Sequence, residues 1–150
     1  MDDYPEKTTL LNMKEEHEKN GTPAYTGKWK NKEHWADAKL KVKNGEPAPI
    51  RFIAPNKEYT LKDHVRSEVK FPAGMVGDFV ILRSNGFPTF NFCNVVDDHL
   101  QEISHVIRGE DHLNNTLRQI MLYEALGVEA PEFAHLSLLI GEDRQKLSKR

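Results

Sequence analysis

The clearest pattern of apolar and polar positions lies in the middle of the chain. Apolar runs at 78–83 and 88–96 have the length and composition of β-strands. An Asn-Gly dipeptide at 85–86 predicts a tight hairpin turn between them, because it readily adopts the positive φ angles that such turns require. Two aspartates at 97–98 then interrupt the apolar pattern, which predicts another turn.

A strand, a helix and a further strand are predicted next. The apolar run at 103–107 favours the first strand, and the run at 135–140 favours the last. Between them, Thr116 is typical of a helix start with Gln119 as its capping-box partner, and Gly127 is typical of a helix end. This order of elements fits a right-handed crossover between parallel strands.

The N-terminal part of the chain is less regular. Residues 4–21 have the apolar spacing of a helix, and residues 49–53 that of a short strand. In residues 25–43, lysines alternate with apolar side chains, which predicts a half-buried strand with a basic outer face. The stretch at 59–69 is ambiguous and suits a pair of strands around Asp63-His64.

Charge and cysteine content restrict the function classes. The formal net charge is −2, with +2 on residues 1–70 and −4 on residues 71–150, so there is no global attraction to nucleic acid. The single cysteine, Cys93, excludes an intramolecular disulfide and a cysteine-cluster metal site. No apolar run approaches the roughly 20 residues of a membrane span. The acidic N-terminus is unlike a secretory signal, so we expect an intracellular protein.

Polar side chains crowd the loop between the predicted strand at 103–107 and the helix. They are Arg108, Glu110, Asp111, His112, Asn114 and Asn115. The carboxyl ends of strands in an open α/β sheet are where ligands bind. A basic loop at 146–150 follows the last predicted strand, where its lysines can reach the phosphates of a nucleotide. A plain basic tail is the alternative.

Residues 25–43 also hold six lysines and two tryptophans. Basic side chains mixed with aromatic rings can bind a phosphate backbone and stack on bases. The candidate contacts with RNA are Lys28, Lys30 and Lys41. The alternative is a solvated charged face with no partner.

Three blocks of the sequence closely resemble the bacterial glutamyl-tRNA synthetases, which are class I aminoacyl-tRNA synthetases. They are GDFVILRSNGFPTFNF, VVDDHLQEISHVIRGEDHLNNTLRQ and KLSKR. The last is similar to the class I Lys-Met-Ser-Lys-Ser signature. More loosely, MKEEHEKNGTPAYTGKWK and PIRF resemble the family's insertion, which holds the tRNA acceptor end.

The resemblance implies an α/β fold in two parts. Residues 88–150 would form the second half of a Rossmann-type nucleotide-binding domain with parallel strands. Residues 1–87 would form the smaller α+β insertion domain that precedes it and binds the tRNA acceptor end. The implied enzyme is glutamate–tRNA ligase, a cytoplasmic monomer without membrane contact. Its partners would be tRNA(Glu), glutamate and ATP, the last as substrate with Mg²⁺.

The resemblance also implies the residues of the glutamate pocket. Arg108 matches the arginine that binds the side-chain carboxylate of glutamate, and a guanidinium can do so through two parallel hydrogen bonds. The alternative is an ion pair with Asp97 or Asp98. Asn94 matches a polar residue of the same pocket. The alternative is a buried amide whose hydrogen bonds are all made within the core. Phe90 stands where the family usually has a tyrosine, which removes one hydrogen bond worth roughly 0.5–1.5 kcal/mol.

Four positions match the family's contacts with ATP. Asp111 and His112 belong to a GEDH block near the ribose and adenine, and Asp111 stands where some members have glutamate. Leu138 and Leu139 fall where backbone groups hold adenine.

The KLSKR block carries the implied catalytic residues. Lys149 matches the second lysine of the signature, which stabilises charge on the ATP phosphates, and Lys146 and Ser148 support that loop. We therefore expect Arg108 and Lys149 to converge on one rim of the sheet. The family's His-Ile-Gly-His signature and its anticodon-binding domains have no counterpart in these 150 residues. We accordingly expect a fragment that is inactive in isolation.

The sequence also bears on zinc binding and on two alternative functions. Some members bind zinc through cysteines near the start of the insertion, but the region around Tyr4-Pro5 has none, and the seven histidines lack ligand spacing. The sequence therefore predicts no zinc. One alternative is a fragment of the paralogue that glutamylates a modified base, the glutamyl-queuosine tRNA(Asp) synthetase. The other is a non-catalytic tRNA-binding module on residues 1–87. Charging of tRNA(Gln) is left open.

Overall fold

The computed structural model describes residues 9–11 and 28–138, with side chains from residue 29 onward. The elements in chain order are β1 (Thr9–Leu11), α1 (Trp35–Lys43), β2 (Ile50–Phe52), β3 (Tyr59–Asp63), β4 (Ser67–Phe71), β5 (Phe79–Leu82), α2 (Phe90–Leu100), β6 (His105–Gly109), α3 (Leu113–Leu126) and β7 (Glu132–Leu136). Short 3-10 turns at Lys28–Lys30 and Lys32–His34 precede α1, and a third at Glu110–His112 precedes α3.

The chain forms two compact units. The first comprises residues 1–54 and 77–93, and the second comprises residues 55–76 and 94–150. Packing therefore groups residues 55–76 with the C-terminal part of the chain. The division at residue 87 into an acceptor-binding domain and a nucleotide-binding half concerns function and stays a prediction.

The first unit contains an antiparallel sheet in the order β1-β2-β5. Strands β2 and β5 confirm the predicted strands at 49–53 and 78–83, and the backbone of Pro88 bridges to Leu82 across the predicted turn. Trp29 and Ala38 are buried together with Trp35 and Ile53 packed against them. The core of this unit thus depends on the tryptophans of the lysine-rich segment.

The predicted strand within residues 25–43 is wrong where the structure describes it, because residues 28–43 form two 3-10 turns and α1. Its alternation of lysine and apolar residues covers few positions, and Ala, Leu and Lys are good helix formers. Asn31 helps to begin the helical segment, since its side chain accepts a hydrogen bond from the backbone N–H of Glu33.

The predicted helix at 4–21 is also wrong where the structure describes it. Residues 9–11 form β1, which pairs antiparallel with β2 and places Leu10 opposite Arg51. Pairing with a neighbouring strand overrides local helix propensity here. The rest of that predicted helix lies outside the described residues.

The second unit contains a mixed sheet in the order β4-β3-β7-β6. Strands β3 and β4 pair antiparallel, which confirms the strand pair around Asp63-His64. Strands β6 and β7 pair in parallel with Val106 opposite Phe133, so the predicted crossover through α3 is confirmed. Strand β6 begins two residues later than predicted and β7 three residues earlier.

Helix α3 begins three residues before the predicted start, so Thr116 lies inside it and the capping box is wrong. The predicted end is confirmed: Gly127 adopts φ +68°, a left-handed conformation that glycine reaches without a steric penalty. Leu117, Met121 and Leu122 of α3 are buried in the core of the unit. The helix therefore contributes several side chains to the core of the second unit.

The predicted strand at 88–96 and the turn at 97–98 are both wrong. One helix, α2, runs through both segments, and Val95 on it is fully buried. A short apolar run does not by itself distinguish a strand from a buried helix. Within residues 28–138, no helix combines the length and apolar character needed to cross a bilayer.

Candidate functional site

Arg108 lies near the carboxyl end of β6, and α3 fixes its guanidinium. Its Nη2 donates hydrogen bonds to Thr116 Oγ1 and to Gln119 Oε1, both at 2.6 Å. Thr116 and Gln119 are buried, and the guanidinium carbon lies 5.6 Å from the centre of the Phe133 ring. The strand and the helix of the crossover thus hold one cationic group in one orientation.

A buried acid–histidine pair lies behind this arginine. His135 Nδ1 lies 2.6 Å from Asp63 Oδ2, and its Nε2 lies 2.8 Å from Thr116 Oγ1. Arg108 Nε donates to the same Nε2 at 3.4 Å. Because Nδ1 faces a carboxylate and Nε2 faces two donors, the proton of the imidazole belongs on Nδ1. The ring therefore links the carboxylate to the groups that hold Arg108.

Asp63 remains an anion in this setting. Burial alone would raise the pKa of its carboxyl, but four hydrogen bonds outweigh burial and hold the pKa well below its usual range. One comes from the His135 ring, and the others come from the backbone N–H groups of Val65, Arg66 and His135 at 2.9–3.2 Å. The carboxylate thus anchors both the β3–β4 turn and β7.

The charge of Arg108 is not neutralised by an ion pair within the described residues. Asp98, whose charge acts on Arg108, accepts a hydrogen bond from the Tyr123 hydroxyl at 3.4 Å. Burial lowers the pKa of Arg108, and the negative charge of Asp98 opposes that shift. The predicted alternative, an ion pair with Asp97 or Asp98, is therefore not observed.

Two donors next to this charge have no hydrogen-bond acceptor among the described residues. They are Nη1 of Arg108 and the buried Nε2 of Gln119. A buried donor without a partner is costly, so an acceptor at this position would be strongly favoured. The arrangement is suited to binding a small anion such as a carboxylate.

The other predicted glutamate contacts lie on α2. Phe90 is 53% exposed and belongs to the first unit, whereas Asn94 is half-buried and belongs to the second. The described contacts of Arg108 do not include Asn94. The roles of Phe90 and Asn94 stay predictions.

The predicted ATP contacts partly fall on one turn. Asp111 and His112 lie in the 3-10 turn after β6, which Glu110 begins. Glu110 forms an ion pair with Arg66, and its other oxygen accepts a hydrogen bond from the backbone N–H of Leu138 at 3.3 Å. This contact ties the turn to the segment after β7. Leu139 lies outside the described residues, and the ATP-binding roles stay predictions.

The predicted catalytic loop cannot be placed. Lys146, Ser148 and Lys149 lie outside the described residues, and so does the expected convergence of Lys149 with Arg108.

Two of the three predicted RNA contacts have partners within the protein. Lys30 Nζ lies 2.7 Å from Asp78 Oδ2, and Lys41 Nζ lies 3.7 Å from Asp37 Oδ2 and 5.6 Å from the centre of the Trp29 ring. The side chain of Lys28 is not described.

Sequence reasoning missed the residues that support Arg108: Asp63, Thr116, Gln119 and His135. Thr116 and Gln119 were assigned to a helix cap, and nothing local connects Asp63 with His135, which lies 72 positions further along the chain. Only the parallel pairing of β3 with β7 brings them together. A buried carboxylate–histidine pair has no short sequence signature.

Comparisons with known proteins identify the family of the chain. The family model for class I tRNA synthetases (E and Q), catalytic domain, matches residues 2–150. Glutamate–tRNA ligase of Bdellovibrio bacteriovorus is 58% identical over 112 residues, which cover 73% of this chain and 23% of the relative. Glutamate–tRNA ligase 2 of Syntrophus aciditrophicus is 50% identical over 145 residues, which cover 97% and 28%.

A solved structure supports the same relationship. The glutamate tRNA ligase of Elizabethkingia meningosepticum, crystallised in complex with its amino acid, superposes with a TM-score of 0.77 at 30% identity and covers 94% of this chain and 32% of that chain. The chain thus spans about a quarter to a third of the length of the relatives it matches. The predicted α/β fold with parallel strands, resembling a Rossmann-type domain, is confirmed. Because the family model spans almost every residue, the chain belongs to the catalytic-domain family of the class I glutamyl- and glutaminyl-tRNA synthetases.

Proposed function

We propose that this chain is part of a glutamate–tRNA ligase, which forms glutamyl-adenylate from glutamate and ATP and transfers glutamate to tRNA(Glu). The observation that carries the proposal is the half-buried guanidinium of Arg108. Hydrogen bonds to Thr116 and Gln119 fix its position, and it has no ion-pair partner among the described residues. The relatives named above are glutamate–tRNA ligases, which favours this activity over that of the queuosine-directed paralogue.

In this proposal Arg108 binds the side-chain carboxylate of glutamate. A charged donor in a partly desolvated site binds a carboxylate more strongly than the same donor in water. The neutral amide of glutamine would leave the guanidinium without an anionic partner, so the same contact would discriminate between the two amino acids. Asn94, which belongs to the same unit, would line this pocket.

ATP would bind beside glutamate at the carboxyl ends of β6 and β7. Asp111 and His112 would lie near the ribose and adenine, with backbone groups of Leu138 and Leu139 on the adenine. Attack of the glutamate α-carboxylate on the α-phosphate needs mainly positioning and charge stabilisation. Lys149, supported by Lys146 and Ser148, and Mg²⁺ would stabilise the charge on the phosphates.

Residues 1–87 would hold the acceptor end of the tRNA, with Lys28, Lys30 and Lys41 on its phosphates. A cytoplasmic location and a monomeric state are part of the same proposal, since both fit an enzyme that meets free tRNA. The chain alone is expected to show no ATP–pyrophosphate exchange, because the proposed ATP site also requires the family's His-Ile-Gly-His segment.

The proposal can be tested in a chimeric enzyme. The segment of the Syntrophus aciditrophicus ligase that aligns with this chain is replaced by residues 1–150, and charging of tRNA(Glu) with labelled glutamate is measured. We expect glutamate to be attached at the 3′ end of the tRNA. A chimera that folds, binds ATP and fails to activate glutamate would contradict the proposal, as would labelling of a modified anticodon base.

A further inference from the structure

Two histidines and a glutamate converge on one exposed corner of the second unit. His64 follows β3, His105 begins β6 and Glu132 begins β7. One ligand atom of each lies within 4.8 Å of the other two. Glu132 Oε2 pairs with His64 Nε2 and lies 3.6 Å from His105 Nε2. All three can therefore contact one bound ion.

A neighbouring hydroxyl orients one of these histidines. Ser104 Oγ lies 2.9 Å from His105 Nδ1, so the other ring nitrogen, Nε2, faces Glu132. Histidines that bind metal ions usually engage their second ring nitrogen in this way, which fixes the ring and the tautomer. This contact prepares His105 Nε2 to act as a ligand.

The surroundings are electrostatically favourable to a cation. A cavity of about 650 Å³ adjoins the corner and includes His105 and Glu132 in its wall. Three further carboxylates line it, from Asp98, Glu102 and Glu129, and no lysine or arginine of the described residues does so. A concave surface lined by charge of one sign concentrates ions of the opposite sign.

We propose that His64, His105 and Glu132 bind a divalent transition-metal ion of the zinc class. Two imidazoles and one carboxylate are a zinc ligand set, whereas Mg²⁺ prefers oxygen ligands alone. Tetrahedral ligands at about 2.0–2.1 Å from zinc lie roughly 3.3 Å apart, and the three half-exposed side chains need only small rotations to reach this spacing. Water completes the coordination.

The site is separate from the proposed glutamate pocket. His105 and Arg108 are three residues apart on β6, which places their Cα atoms roughly 10 Å apart along the strand. The ion would join the β3–β4 turn to the starts of β6 and β7, so its expected effect is on stability. The proposal does not depend on the chain's role in aminoacylation. It also replaces the sequence-based expectation of no zinc, because these ligands are distant in sequence and come together only in the sheet.

The test is titration of the 150-residue chain with ZnCl₂ in a non-chelating buffer at pH 7.5, followed by calorimetry and thermal unfolding. We expect one zinc ion per chain with a micromolar Kd. At a zinc concentration 100 times Kd, the ratio of folded to unfolded chain rises about 100-fold. MgCl₂ in place of ZnCl₂ should give no binding in this range.

Four variants assign the site. His105→Gln and Glu132→Gln should each weaken zinc binding by more than about tenfold, and Ser104→Ala should weaken it about 10–100-fold by releasing the His105 ring. His99→Gln is the matched control, because His99 lines the same cavity but is not one of the three ligands. Failure of the folded wild-type chain to bind zinc at 100 µM would overturn the proposal, and so would equal affinity in His105→Gln.

Discussion

His135 Nδ1 lies 2.6 Å from Asp63 Oδ2, and neither side chain is exposed to solvent. The other ring nitrogen of His135, Nε2, contacts Thr116 Oγ1 and Arg108 Nε. The carboxylate therefore helps to orient both side chains by fixing the imidazole. Strands β3 and β7 contribute the pair, and α3 and β6 contribute the groups that it supports. The relationship therefore joins the stability of the second unit to the orientation of the candidate ligand-binding guanidinium.

Replacement of the buried carboxylate tests its contribution to the stability of the second unit. Asp63→Asn keeps the shape but removes a charge-assisted hydrogen bond to His135, and should lower the free energy of unfolding by about 1.5–3 kcal/mol. Urea unfolding at pH 7 measures the change. A loss of less than about 0.5 kcal/mol would mean that the pair contributes little.

The pH dependence of stability tests the charge on Asp63. Its pKa is lower in the folded chain than its usual value of 3.8, so its contribution is complete above that value and is lost as the pH falls below it. The difference in stability between the wild-type chain and Asp63→Asn should therefore shrink below about pH 4. Urea unfolding at pH 7, 5, 4 and 3 measures it, and an unchanged difference at pH 3 would contradict an ionised Asp63.

Ser67 is a second local test of the fold. It adopts φ +62° at the start of β4, after the three-residue turn that follows Asp63. A non-glycine residue in this left-handed region is strained by about 1 kcal/mol, so Ser67→Gly should raise the free energy of unfolding by about 0.5–1 kcal/mol. The converse control is Gly127→Ala. Because Gly127 has φ +68°, this substitution should lower the free energy of unfolding by a similar amount. A Ser67→Gly variant that loses stability, as Gly127→Ala is expected to do, would contradict the assigned turn.

Several elements of both units could be predicted from the sequence because their signals are local. The turn at Asn85-Gly86, the strands β2 and β5, and the helix end at Gly127 depend on residues that are adjacent in the chain. The errors at α1 and α2 arose where short apolar runs fit both a helix and a strand. Ala38 on α1 and Val95 on α2 are buried, and burial in the folded chain is not recorded by a local sequence pattern.

Of the candidate site around Arg108, the sequence predicted the arginine but not the side chains that hold it in place. Arg108 was identified through the block that resembles the synthetases, but its supports were not. Asp63 reaches His135 by pairing of strands that lie far apart in the sequence, and Thr116 serves from within a helix rather than at its start. A side chain that contacts a residue from a distant strand has no fixed separation from it in the sequence, so no sequence pattern predicts the contact.

Thr116 tests the positioning of Arg108. In the chimeric ligase, Thr116→Val removes a hydrogen-bond acceptor for the guanidinium and should raise the KM for glutamate by about 3–10-fold, which corresponds to roughly 0.5–1.5 kcal/mol. The KM for ATP should be unchanged. Thr116→Ser retains the hydroxyl and should restore the KM for glutamate. A Ser variant as impaired as the Val variant would assign Thr116 to packing alone.

The lysine-rich segment makes a separate prediction about RNA. In the chimeric ligase, changing Lys28, Lys30 and Lys41 to glutamate should weaken tRNA binding and flatten its dependence on salt, because fewer counterions are released. Filter binding at several salt concentrations measures both. The matched control changes Lys62 and Lys70, on β3 and β4, to glutamate. If both sets weaken tRNA binding equally, the effect is general charge and the lysine-rich segment has no specific role.

The most direct test concerns the contact between Arg108 and the substrate carboxylate. Arg108→Ala in the chimeric ligase is compared with Arg83→Ala, an exposed arginine in the first unit, by ATP–pyrophosphate exchange with varied glutamate. We predict that kcat/KM for glutamate falls at least tenfold in Arg108→Ala, since a hydrogen bond to a charged group is worth about 1.5–3 kcal/mol. The KM for ATP should stay within about twofold, and Arg83→Ala should match the wild type. An Arg108→Ala enzyme that folds and uses glutamate as well as the wild type does would contradict the assignment of this guanidinium to the substrate.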